Sequence, residues 1–143
     1  MKARDLGSHP LGKNPGDVWQ LSTSNFRGGH HATFPTSLVE RPIRATCPER
    51  VCIACSEPWT RTRVRSLGHL AVADELAAQC KCSAGYQAGI VLDPFMGSGT
   101  VAVVAEELGR HWLGIEVNPD FVAMAKVRIR AARIGRDNEA RAA

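Results

Sequence analysis

The segment VLDPFMGSGT, residues 91–100, carries an acid, two glycines and two small hydroxyl residues between Asp93 and Thr100. A short apolar run stops at Asp93, the chain turns through Pro94, Phe95, Met96 and Gly97, and a helical pattern starts at Ser98. Gly97 and Gly99 let the backbone approach a ligand with no Cβ in the way. The helix start offers N–H groups that lack intrahelical partners. A second apolar run, HWLGIEVN (111–118), carries Glu116 19 positions after Gly97. An acid at about 20 residues past a glycine turn is placed to accept hydrogen bonds from ribose hydroxyls. The chemistry these residues suit is the binding of a nucleoside cofactor across two strand tips. The alternative is a tight turn with capping residues and no ligand. A dehydrogenase site is disfavoured, because the G-x-G-x-x-G spacing is absent.

Such a site needs strand, helix, strand and helix behind it. AGIVLD (88–93) is short, apolar and β-branched, and reads as a buried strand. SGTVAVVAEELGR (98–110) reads as a helix stopped at Gly109. Residues 111–118 read as a second strand, and PDFVAMAKVRIRAARIG (119–135) as a helix opened by Pro119. Arg128, Arg130, Arg133 and Arg136 need be no more than that helix's wet side. Residues 137–143 read as a frayed tail. The order is a βαβα unit of an open parallel sheet, which binds ligands at the C-terminal ends of its strands. Upstream, residues 1–25 read as loop, with one short strand in DVWQL (17–21). FPTSLVERPIRA (34–45) reads as a helix that Pro35 suits at its first turn and that bends or ends at Pro42.

The chain has 143 residues, 44% hydrophobic and 22% charged, which fits one small globular domain. No apolar run approaches the roughly 18 residues of a membrane span. The first residues have no apolar core like that of a signal peptide, so the expected setting is cytoplasmic with no membrane partner. The net charge of +4 is compatible with a nucleic-acid partner without establishing one. An odd count of five cysteines argues against a disulfide framework. CIAC (52–55) and CKC (80–82) are two close pairs separated by 24 residues. Cys52, Cys55, Cys80 and Cys82 can converge on one tetrahedral structural zinc; the alternative is free, partly buried thiols, and Cys47 is left over. Between the pairs, RTRVR (61–65) would place Arg61, Arg63 and Arg65 on one side if it is a strand. That side suits DNA phosphates or plain solvent.

DPFMGSGT followed by GIEVNPDF resembles the cofactor-binding half of the amino-group DNA methyltransferases, which modify adenine N6 or cytosine N4 with S-adenosylmethionine. GKNPGDVW (12–19) and FRGGHHATFPTSLVERPI (26–43) are similar to segments that precede that motif in the permuted members. CIACSEPW also resembles a zinc knuckle, with Ser56 where glycine is usual. The fold implied is α/β, a partial Rossmann-like S-adenosylmethionine-dependent methyltransferase fold (1–46 and 87–136) with a small zinc-knuckle-like insert (47–86). The resemblance implies that Asp93, Pro94, Phe95, Gly97, Ser98 and Gly99 line the methionine end of the cofactor, with Ser98 and Thr100 supporting the loop. It implies that Glu116 holds the ribose, Asn118 lies near the adenine, and Thr33, Phe34 and Pro35 close the methionine side. His30 and His31 fall in a family segment without an implied catalytic role.

The family holds the target amino group through Asp, Asn or Ser followed by Pro-Pro and an aromatic residue. This sequence contains no Pro-Pro pair, so no catalytic residue is assigned. The expectation is a C-terminal portion of a double-stranded-DNA methyltransferase, truncated or completed by a second polypeptide. The other class of function is a non-catalytic, zinc-containing DNA-binding remnant.

Overall fold

A computed structural model describes residues 16, 18–22, 34–66 and 69–142. Thr33, His30, His31 and half of the two upstream family-like segments lie outside the described residues. The elements are α1 (Thr36–Thr46), β1 (Val51–Cys52), β2 (Thr60–Ser66), β3 (His69–Ala77), β4 (Tyr86–Gln87), β5 (Ile90–Asp93), α2 (Thr100–Glu107), β6 (His111–Gly114) and α3 (Pro119–Ala142). The strand expected at 17–21 is not there: residues 18–21 are irregular.

β5 and β6 pair in parallel, Ile90 opposite His111 and Asp93 opposite Gly114, joined by α2 as the expected crossover. α2 is the centre of the packing. Its Val104 and Ala105 meet Val39, Ile43 and Cys47, while Ala102 and Val103 meet Ala125 and Ile129 of α3. Trp112 of β6 closes against both groups. The helix ends where the sequence says it should. Gly109 takes φ +69°, its N–H bonds Glu106 O, and the Arg110 N–H bonds Ala105 O at 2.8 Å, the paired closure that a left-handed glycine permits.

Three sequence expectations need correction. Pro42 does not end α1, which runs on to Thr46. Pro42 removes only the N–H aimed at the Leu38 carbonyl, and both residues are exposed, so water can replace that bond. The 88–93 strand is shorter and is not buried. Ile90, Leu92, Leu113 and Ile115 are all more than half exposed, because among the described residues helices cover only the opposite sheet face. Residues 137–142 continue α3 rather than fraying; Ala, Glu and Arg there are strong helix formers. Residues 47–86 carry strands as well as turns. β2 and β3 form an antiparallel hairpin and β1 pairs with β4.

Glu106 of α2 ties β6 to α3. It accepts from Trp112 Nε1 at 2.9 Å and from Arg133 Nε at 3.0 Å, and Arg136 Nη1 stands 3.6 Å away. The Arg133 hydrogen bond, against some burial and aided by Trp112, holds this carboxyl below its ordinary 4.5. A depressed folded value stabilises the protein above the ordinary value and loses that effect as pH falls through the folded one. Glu106→Gln is expected to cost about 1.5–3 kcal/mol at neutral pH, discounted toward the low end because Arg133 is half exposed. The deficit should shrink below pH 4.5. Urea unfolding at pH 7 and in acid reads both, and equal stability of the two proteins at pH 7 would contradict the clamp.

Candidate cofactor site and cysteine cluster

The chain leaves β5 at Asp93 and folds back over the tip of β6. Ile115 N–H bonds Asp93 O and Met96 N–H bonds Ile115 O, both at 2.9 Å. Asp93 Oδ1 accepts from Phe95 N–H at 3.1 Å, which sets the turn. Pro94 and Phe95 stand at its crest, Phe95 89% exposed. Gly97 and Gly99 take φ +51° and +78°, backbone that side chains with a Cβ resist. Gly99 is also sterically required: a Cβ there would lie 2.9 Å from Ala125 Cβ and 3.3 Å from Ala125 Cα. This close approach lets α3 pack on the start of α2.

Glu116 sits beside the turn. Its Oε2 accepts from Gly97 N–H at 2.7 Å and its Oε1 from Asn118 N–H at 2.8 Å. Asn118 Oδ1 accepts from Asp120 N–H at 2.9 Å, so Asn118 caps α3 with Pro119 at the first helical position. The structure therefore brings Asp93, the glycine turn, Glu116 and Asn118 together at the C-terminal ends of β5 and β6. Phe34 and Pro35 precede α1, and Phe34 is 39% exposed, so it is not a core residue. Ser98 and Thr100 are each 4% exposed and face inward, onto Arg128. Reading Arg128 as part of a wet face was wrong. A signal was available, since it lies three positions after the buried Ala125, on the same helix face.

The second constellation is built by a turn after Cys52 and a bend around Cys80. Cys52 ends β1, and its carbonyl accepts from Ser56 N–H at 2.9 Å. Ser56 adopts φ +62°, the conformation for which glycine is usual. After the second pair, Ser83 and Gly85 are left-handed too, at +51° and +82°. The four thiols of Cys52, Cys55, Cys80 and Cys82 lie within 4.8 Å of one another. Zinc–sulfur bonds of about 2.3 Å in a tetrahedron would set sulfurs at roughly 3.8 Å, so small rotations suffice. The amides of Cys55 and Ala54 draw the Cys52 thiol down to about 7, while the thiols of Cys55 and Cys80 push Cys82 up to about 12. Cys47 stands apart in the core, where burial pushes its thiol up. A Cβ on Gly89 would lie 2.8 Å from its sulfur and 2.3 Å from Pro48 O, so β5 and the start of the cysteine region are in close contact.

RTRVR is a strand, but the register shifts between Arg61 and Arg63. Arg61 Nη2 is bound to Glu49 at 2.9 and 3.1 Å. Arg61 therefore serves an internal ion pair rather than a row of three cations.

A parallel strand–helix–strand unit with a glycine turn and a carboxylate at its tips has the layout of an open α/β sheet, the kind that takes ligands at the C-terminal ends of its strands. Comparison with known proteins narrows the class. The N6_N4_Mtase family model, described as DNA methylase, matches residues 1–127, and the chain belongs to that family of methyltransferase enzymes. It is 31% identical over 134 residues to Type II methyltransferase M.ScaI of Streptomyces caespitosus, covering 88% of this chain and 32% of that one. It is 32% identical over 117 residues to Type II methyltransferase M.Cfr9I of Citrobacter freundii, covering 82% and 26%. The chain thus spans about a quarter to a third of the length of these curated relatives. A crystal structure of M1.HpyAVI matches at 45% identity over 29% of this chain and 24% of that one, with a TM-score of 0.29. Among the described residues no helix is long and apolar enough to cross a membrane.

Proposed function

We propose that this chain is the S-adenosylmethionine-binding portion of a site-specific methyltransferase acting on adenine N6 or cytosine N4 of double-stranded DNA. The observation that carries this is the joining of Glu116 to the glycine turn at two parallel strand tips. A carboxylate offers about four lone-pair sites. The Gly97 and Asn118 amides donate to one oxygen each, and we assign the ribose hydroxyls to the same carboxylate. The amides thereby aim the carboxylate before the ligand arrives.

Asp93 and the backbone of Pro94, Phe95, Gly97, Ser98 and Gly99 form the methionine end, with Thr100 beneath it. Asn118 borders the adenine, and Phe34 and Pro35 close the methionine side. Bound there, S-adenosylmethionine supplies a sulfonium methyl that a base amine can take by direct displacement, with no covalent protein intermediate. The base must leave the duplex to reach it. The residues that grip it belong to a catalytic Pro-Pro-aromatic segment outside this sequence, on the same polypeptide or on a second one. Robust DNA methylation by the purified chain alone would contradict that division. Cys52, Cys55, Cys80 and Cys82 hold one structural zinc, closed because all four ligands are protein sulfurs.

Glu116→Ala is expected to weaken S-adenosylmethionine binding at least tenfold, about 1.4 kcal/mol, as read by equilibrium titration. Unchanged affinity would remove Glu116 from the ribose.

A further inference from the structure

Arg128 lies outside the cofactor motif yet holds that motif from below. Its Nη1 is 2.7 Å from Ser98 O, 2.7 Å from Ser98 Oγ and 3.2 Å from Thr100 Oγ1. All three acceptors belong to the last step of the turn and the first residue of α2. A cation at a helix N-terminus opposes the helix dipole, so helix stability does not account for its position. Burial also lowers the guanidinium's ionisation range, and charge-assisted hydrogen bonds offset that loss.

Ser98 is the one residue between two left-handed glycines. Glycine on each side leaves its peptide units free to rotate unless something fixes them. Glu116 fixes the Gly97 side from the open tip, and Arg128 fixes Ser98 from the interior. We propose that Arg128 is a positioning residue for cofactor binding: it locks the Ser98 carbonyl and hydroxyl so that the Gly97–Thr100 backbone presents one shape to S-adenosylmethionine. This rests on the reading of that turn as the cofactor site. Arg128 does not touch the cofactor and acts through Ser98 and Thr100.

The test titrates the full chain with S-adenosylmethionine and melts it without ligand. The proteins compared are wild type, Arg128→Met, Arg128→Lys, Glu116→Ala and Ile129→Ala. Arg128→Met should weaken binding at least tenfold. Arg128→Lys should recover most of it, because one nitrogen makes all three contacts and an ammonium carries three donors. Ile129→Ala, a cavity in the same helix, should lower the melting temperature at least as much yet leave Kd within twofold. Binding by Arg128→Met within twofold of wild type, while Glu116→Ala is weakened, overturns the proposal and leaves the site reading standing. Equal weakening by Arg128→Met and Ile129→Ala also overturns it, as the effect is then general destabilisation. No binding by wild type sinks the site reading and this proposal with it. If Arg128→Met does not fold, Ser98→Ala combined with Thr100→Val removes two of the three acceptors without touching α3. That pair should weaken binding at least threefold, and unchanged affinity overturns the proposal.

Discussion

Cys55→Ser and Cys82→Ser should each abolish stoichiometric zinc and loosen the cysteine region. Both residues are exposed, so either change removes a ligand sulfur without opening a cavity. Structural zinc sites in small domains contribute about 10–16 kcal/mol of apparent binding free energy at neutral pH, and that energy is folding energy. Loss of one of four thiolates should lower affinity at least a hundredfold, about 2.8 kcal/mol. Around the cluster, β1 and β4 contribute only two residues each, too few to hold the turns by themselves. Removing the metal with a strong chelator should therefore expose residues 47–86 to protease while the α2–α3 packing persists. Metal analysis of protein purified without chelator checks the first part. Finding no zinc in the wild type, or one equivalent in Cys82→Ser, would contradict a four-cysteine site.

Gly99→Ala should strongly destabilise the α/β unit. Forcing a Cβ into left-handed backbone costs about 1–2 kcal/mol, and overpacking adds about 1–3 kcal/mol. The obstruction is Ala125, whose Cα is part of α3 and cannot rotate away. We expect about 2–4 kcal/mol of lost stability and, in the fraction still folded, weaker cofactor binding, since the start of α2 must move. Gly114→Ala is the control. Its Cβ would meet the side chain of Met96, whose unbranched thioether can shift to another rotamer, so the cost should be smaller. Chemical denaturation of both variants decides this. Equal stabilities would mean that α3 is free to draw back from the turn.

The parts of this molecule that were legible in the sequence are those set by short spacing. The turn after Asp93, the place of Glu116, the stop at Gly109 and the convergence of two cysteine pairs each depend on a few adjacent residues with restricted backbone choices. Parts set by distant contacts were not legible. Arg61 looks like one of three aligned cations, and only the fold brings Glu49 to it from 12 positions away. Arg128 looks like its arginine neighbours on α3, because a long side chain can lie across an apolar face and still reach a polar end. What distinguishes it is the Ser98–Thr100 turn, 28–30 residues earlier. The exposed face of β5 and β6 was misread for a related reason. Ile90, Leu92, Leu113 and Ile115 have the composition of a strand covered on both sides, and sequence alone does not say that the described part of the chain covers only one.

The turn between Asp93 and Thr100, with Glu116, is expected to bind S-adenosylmethionine. The most direct measurement is calorimetric titration of the full chain with S-adenosylmethionine, repeated with the nicotinamide dinucleotide NAD. Saturable one-to-one binding of the former, at least a hundredfold tighter than NAD, is the predicted result. No binding, or equal affinity for the two, would contradict it.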